Sequence, residues 1–349
     1  MSTSNVSETG PRPFDTSESA SDLERQYRAV KSDAGVRLMD ERLFVRISGD
    51  DRVSFLHGMC SADIKGLKTG EVAPALFLTD HAHVIAACFI YAESDALLIE
   101  TDRAAWPQTR SHLERFLVAD DVEMEELEDV AAIDIEGPRA AETMRQFAGE
   151  IAGSLAPWRY QVETRTANLP RLGGPAFTLM VERPKAAEAV ERLKTLHRGL
   201  CGLDIQTMEV LRIENGIAAI GVDTNEKTLA MEARLERSIS FSKGCYVGQE
   251  TVERATARGA LKRRLYGLRI TGVQLPQRGA AVLLAGKEVG MLTSVVPSPA
   301  LGIIGLAILH HSAWTEGVTV VVRGSDGDVP ATVSELPFTS SGGGSSQAR

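Results

Sequence analysis

This chain of 349 residues is poor in several things, and each shortage closes a class of function. Its four cysteines, Cys60, Cys88, Cys201 and Cys245, lie far apart, with no C-x-x-C among them. That spacing suits neither a zinc ribbon nor a self-contained iron–sulfur ligand set, and it is no disulfide framework. A reducing compartment fits it better. No run approaches the ~18 consecutive apolar residues of a membrane span. Residues 1–20 lack the apolar core of a secretory signal and the arginines of a transit peptide, so the cytoplasm is the expected location. Positive charge is short too: 38 lysines and arginines against 47 acids leave a formal net charge of −9. That field argues against nucleic acid as a ligand and leaves only a local basic patch able to touch RNA. G-x-G-x-x-G, the Walker loop, G-x-S-x-G and H-E-x-x-H are all missing, which removes nucleotide-fold, serine-hydrolase and zincin readings.

What is present is ordinary globular composition, 43% hydrophobic and 24% charged, in a chain long enough for two or three domains. The polar residues 1–30 are expected to be disordered and the Ser/Gly-rich 339–349 to be a flexible tail. Between them, two α+β domains are expected over 31–150 and 151–258. Strand patterns occupy 43–48, 75–78, 84–91, 96–101, 130–135 and 176–181, and helical periodicity marks 103–117, 139–147 and 186–196. The acidic run 120–129 alternates carboxylates with apolar residues, as a solvated edge strand does. From Leu265 onward helical periodicity almost vanishes. Short β-rich runs at 265–270, 281–284, 290–296, 318–322 and 331–336 alternate with glycine and proline turns, so a separate antiparallel barrel is expected over 259–338.

The most informative stretch is Lys243-Gly244-Cys245-Tyr246-Val247-Gly248-Gln249-Glu250. Its thiol sits between two glycines and just ahead of a helical segment at 249–257. Helix-end N–H groups and the nearby Lys243 would stabilise a thiolate there, while a half-buried structural cysteine in a glycine turn is the plainer alternative. Glu250, in the first turn, either serves a ligand or simply complements the helix dipole. A basic cluster, Arg254, Arg258, Lys262, Arg263 and Arg264, follows as a solvated linker face or a contact for an anionic group.

This octet resembles the signature of the YgfZ-type folate-binding proteins, relatives of the glycine cleavage T-protein (aminomethyltransferase). Four further segments are similar to that superfamily. They are Phe55-Leu56-His57-Gly58 with Ala62-Asp63, Glu136-Gly137-Pro138 in place of the usual Q-G-P, Leu211-Arg212-Ile213-Glu214-Asn215-Gly216, and Gly290–Thr293 with Ser298-Pro299 and Leu301-Gly302. The resemblance runs from about residue 36 to 336. It implies an α+β, three-domain T-protein-like ring with a C-terminal antiparallel β-barrel, holding tetrahydrofolate or a one-carbon derivative. It also implies roles. Cys245 with Lys243 would be the reactive pair, and Arg212, Glu214, Asp63, Gln249 and Glu250 would bind the cofactor. Arg212 and Glu214, read as alternating along a strand, would share a face. There the cation would meet the folate glutamate and the carboxylate the pterin's donor edge, unless the two are a surface ion pair.

Two departures point away from T-protein chemistry. Its paired carboxylates fall on Ala86 and Ala87, and its G-Y-T-G-E-D-G segment has no counterpart, the nearest stretch being 171–177. The expected function is therefore a folate-binding accessory protein for assembly or repair of iron–sulfur clusters and enzymes, including tRNA-modifying ones. Iron–sulfur client proteins would be its partners. The alternative is a folate-dependent one-carbon transferase, an aminomethyltransferase or demethylase.

Overall fold

The computed structural model describes residues 16–256, 261–324 and 327–338. Helix α1 (Thr16–Ser32) leads into β1 (Gly35–Met39), β2 (Arg42–Ser48) and α2 (Arg52–Met59). Next come β3 (Val72–Leu78), β4 (Val84–Ala92), β5 (Leu97–Asp102), α3 (Trp106–Glu114), β6 (Glu123–Glu126) and β7 (Val130–Glu136). Helices α4 (Ala140–Ala148) and α5 (Glu150–Gly153) precede β8 (Arg159–Gln161), β9 (Thr166–Asn168), β10 (Ala176–Glu182) and α6 (Ala186–Leu196). The short β11 (Cys201–Gly202), α7 (Ile205–Glu214) and α8 (Gln249–Thr256) complete the front of the molecule. The last strands are β12 (Arg263–Ile270), β13 (Ala281–Leu284), β14 (Lys287–Ser298), β15 (Gly302–His310), β16 (Thr319–Val322) and β17 (Val329–Ser334).

Among the described residues these strands form three sheets: β3-β4-β5-β2-β6, β11-β1-β7-β10-β9-β8, and a closed barrel β12-β15-β14-β13-β16-β17. The acidic β6 is an edge strand, as its alternation suggested; carboxylates there keep an exposed sheet edge from pairing with another chain. One face of the five-stranded sheet packs Leu43, Val45 and Ile90 against Phe55, Leu56 and Met59 of α2 and Trp106 and Leu113 of α3. Its other face turns Phe44, Tyr91 and Leu98 toward Met39, Val130, Ala132 and Met180 of the six-stranded sheet. The far face of that second sheet, with Ile133, Ile135 and Leu179, is covered by Met144 of α4 and Leu193 of α6. Strand β7 is therefore buried on both faces, which explains its near-continuous apolar sequence and makes its two acids conspicuous.

Three expectations need correction. The N-terminal segment is not without structure throughout: α1 buries Leu23, Tyr27 and Val30 against Val210, Leu211 and Ile213 of α7. These apolar residues recur at helical spacing, and burying each is worth roughly 1.5–3 kcal/mol, enough to hold an otherwise polar helix in place. Residues 1–15 lie outside the described residues, as do 339–349 of the expected tail. Second, the boundary expected near 150 crosses the six-stranded sheet, which takes β1 and β7 from one side and β8 to β11 from the other. Third, Arg212 and Glu214 lie on helix α7, not on a strand. Asp204 caps that helix by accepting from Thr207 N at 2.7 Å, so the chain enters it with a satisfied N-terminus.

Candidate functional site

The octet is fastened to the C-terminal end of α2 and to the turn between β3 and β4. Carbonyls at a helix C-terminus lack partners within the helix and carry partial negative charge. Lys243 answers that need. Its Nζ donates to the carbonyls of His57, Cys60 (2.8 Å) and Ala62 (2.7 Å). Burial holds its pKa below the usual lysine range. Val247 N donates to Gly58 O at 3.1 Å. Gly248 has φ +90°, and a Cβ there would stand 2.6 Å from Thr79 O, so both its conformation and its surroundings demand glycine. Between these anchors Cys245 is exposed, whereas Cys60, Cys88 and Cys201 are buried. Burial pushes the Cys60 thiol up to about 11, partly offset by Lys243, so it is inert at neutral pH.

Asp63 joins this corner. It is largely exposed, accepts from Gly66 N at 3.1 Å and lies 3.4 Å from His57 Nδ1. Gln249 opens α8 and donates to Glu253 at 2.8 Å, and Glu250 is exposed in the same first turn. Lys243 and Asp63 therefore meet at the end of α2, with Cys245 on the loop that Lys243 anchors, while Gln249 and Glu250 open α8, which runs beside the β3–β4 turn. Lys243 spends its hydrogen bonds on carbonyls, which makes it a clamp for the thiol's loop.

Arg212 and Glu214 do not join them. Two residues apart on a helix, their side chains leave in nearly opposite directions. The Arg212 guanidinium gives Nε to Glu209 (2.8 Å), Nη1 to Ile217 O (2.8 Å) and Asp223 (2.6 Å), and Nη2 to Glu209 and Ser294 (2.8 Å). Arginine has five N–H donors, and all five are used within the protein. Asp223 is enclosed and also accepts from Thr293, Ser294 and Ala219 N. Glu214 accepts from Tyr27 at 3.1 Å and Ser298 at 2.6 Å and pairs with Lys31 at 2.8 Å, tying α1 and the barrel to α7. Of the basic cluster, Arg263 pairs with Glu232 and Arg264 with Glu236, and Arg258 lies outside the described residues.

A third group was not anticipated from the sequence. Between the two stacked sheets, Glu100 is fully enclosed and pairs with Arg42 at 2.9 Å and Arg171 at 2.6 Å, with Tyr91 donating to it as well. Burial alone would raise its pKa, but the two guanidiniums hold it down to about 2. Arg171 also lies over the Phe89 ring at 4.5 Å and reaches Asp134 at 3.5 Å, while Thr178 donates to Asp134 at 3.1 Å. Asp134 Oδ2 and Glu136 Oε1 are buried with no hydrogen-bond partner. The available signal was a pair of acids inside an apolar strand; in the sequence Glu136 stood out only as a replacement for glutamine. Ala87, on the same face of β4 as Phe89, packs with Leu76, Ala230 and Tyr246, so no carboxylate enters from that strand.

The profile of the GCVT N-terminal domain matches residues 8–243, and that of the glycine cleavage T-protein C-terminal barrel domain matches residues 263–339. The chain belongs to the glycine cleavage T-protein family. An aminomethyltransferase of Rubrobacter xylanophilus is 26% identical over 327 residues, covering 90% of this chain and 86% of its own. A chloroplastic protein of Arabidopsis thaliana, named provisionally as a transferase, is 28% identical over 319 residues, covering 88% and 72% respectively. The crystal structure of the glycine cleavage system aminomethyltransferase T from Bartonella henselae superposes with a TM-score of 0.82 at 18% identity, covering 91% of this chain and 90% of its own. The α+β front and closed six-stranded barrel described above are thus the T-protein fold.

Proposed function

We propose that this T-protein family member binds a tetrahydrofolate derivative and acts as a folate-dependent one-carbon transferase. The observation that carries this reading is its likeness, along nine-tenths of its length, to proteins named aminomethyltransferase. The donor set is compatible with a folate. Moving a one-carbon unit between nitrogens requires a carboxyl to manage protons and developing cationic charge. Ala86 and Ala87 supply none, but Asp134 and Glu136 each keep a buried oxygen without a partner, an arrangement suited to the N–H edge of a pterin. Glu136 and Asp134 would hold that edge, and the folate would supply the nitrogens that carry the one-carbon unit. The test is turnover: the protein is incubated with tetrahydrofolate and an aminomethyl or methyl donor, and methylene- or methyltetrahydrofolate is followed. Steady product formation is expected. Binding without turnover would refute the transferase assignment.

One feature favours a second reading, that of a YgfZ-type accessory protein for iron–sulfur assembly or repair. Cys245 is the exposed cysteine and sits on a loop held firmly by Lys243 and Gly248. A single thiol cannot hold a cluster, so an iron–sulfur client or assembly partner would supply the remaining ligands. Under this reading Cys245→Ala fails to restore iron–sulfur enzyme activity, including that of tRNA-modifying enzymes, to a strain lacking the protein. Full restoration would sink it.

A further inference from the structure

We propose that Asp134 and Glu136 share a single proton, and that they release it when a ligand presenting adjacent N–H donors docks against Glu136. The choice of ligand rests on the folate reading above; the shared proton does not. Both residues lie on β7 two positions apart, so their side chains leave the same face of the strand. That face looks toward the five-stranded sheet, from which Glu100, Arg42 and Tyr91 approach, while Arg171 and Thr178 approach from beside β7. The charges can be counted. Three guanidiniums, Arg42, Arg171 and Arg37 (opposite Asp134 on β1), meet four carboxyls, Glu100, Asp134, Glu136 and Glu41, the last paired with Arg37 at 2.7 Å, which leaves one negative charge too many (3 − 4 = −1) if all four are ionised.

Glu100 has Arg42 and Arg171 as direct partners and stays ionised. Asp134 has Arg171 at 3.5 Å and Thr178 as a donor. Glu136 feels Arg171 only from farther off and makes no ion pair among the described residues, so the proton resides chiefly there. Its neighbour on the same face of β7 is the Asp134 carboxyl, and two ionised carboxylates cannot hydrogen-bond each other. A proton between them supplies the missing donor and removes the repulsion. Burial, then the Asp134 charge, pushes Glu136 well above the usual carboxylate range. The coupling to a ligand follows from the unused oxygens. N–H donors brought to Glu136 Oε1 favour the charged carboxylate, so the O–H bond breaks and the proton passes to solvent as the ligand seats. No electron is exchanged, and the charge lost as a proton is offset by the new hydrogen bonds.

The test uses the full-length protein and tetrahydrofolate, titrated calorimetrically in two buffers of different ionisation enthalpy. The wild type should release on the order of one proton per bound ligand, and its affinity should rise by up to about tenfold per pH unit around neutrality. Glu136→Gln keeps the shape and an acceptor oxygen but carries no titrating proton, so it should bind with no proton release and no pH slope. Zero proton release by the wild type, or full release by Glu136→Gln, overturns the proposal. If tetrahydrofolate does not bind at all, the folate reading falls and the ligand clause with it. The shared proton is then decided on the empty protein by carboxyl 13C NMR. One buried carboxyl should remain protonated at neutral pH and disappear in Glu136→Gln; its absence from the wild type overturns that clause as well.

Discussion

Arg212→Ala separates two roles for the arginine of the Leu211–Gly216 segment, a ligand contact and a fastening. In this structure the guanidinium's five N–H groups are all taken by Glu209, Asp223, Ser294 and Ile217 O. Removing it leaves the Asp223 carboxylate, whose side chain is fully enclosed, with hydroxyl and backbone donors but no cation. Breaking a buried pair from one side costs about 3–5 kcal/mol, because a charge is left behind without compensation. The melting temperature should therefore fall by on the order of 10 °C, with the barrel and α7 losing their tie at Ser294. Arg212→Lys should recover only part of this, since an ammonium cannot reproduce the planar fork. The assay is thermal unfolding of the three proteins beside tetrahydrofolate titration below the variants' transitions. A variant with wild-type melting and abolished folate binding would refute the fastening role and restore Arg212 as a ligand contact.

Thiol counting gives a simple further check: of four cysteines, Cys245 alone should react rapidly with a disulfide reagent at neutral pH, the others following only on denaturation. Gly248→Ala should cost about 1–3 kcal/mol in stability, because a side chain is placed at φ +90° against the Thr79 carbonyl. Limited proteolysis should then cut the 240s loop faster. Glu100 has a folded pKa of about 2 against an ordinary 4.5, so its stabilising share is complete above about 4.5 and is lost as pH falls through 2. Glu100→Gln should accordingly be less stable at neutral pH, and its difference from wild type should shrink in melting curves recorded from pH 5 down toward 2.

The sequence disclosed the fold wherever a β-rich or amphipathic run was bounded by turn residues. Strands β2, β4 and β5 are β-rich runs closed by polar or glycine turns, helix α6 is amphipathic, and the spans of all four match closely. Helix α7 was misread because it is buried nearly all round: Met208, Val210, Leu211 and Ile213 all pack inward, so no apolar stripe betrays its period. Strand β15 escaped for a similar reason, since the nearly unbroken apolar run 303–309 shows no alternation. Helix α1 carried its signal in only three residues, diluted by a polar sequence. The octet could be located because glycine on either side of a thiol is informative without tertiary knowledge. What Lys243 does there could not be read, because its partners are carbonyls of residues 57, 60 and 62, nearly two hundred positions earlier in the chain. The inter-sheet cluster was hidden in the same way. Its members come from β2, β4, β5, β7 and β10 and from Arg171, and they meet only once the sheets stack.

The most direct test of the central claim is calorimetric titration of the wild-type protein with tetrahydrofolate at neutral pH. A folate-binding member of this family should show saturable binding of one folate per chain, displaced by a competing pterin-containing folate and not by glutamate alone. Absence of saturable binding at millimolar ligand, in protein that still melts cooperatively, would contradict it.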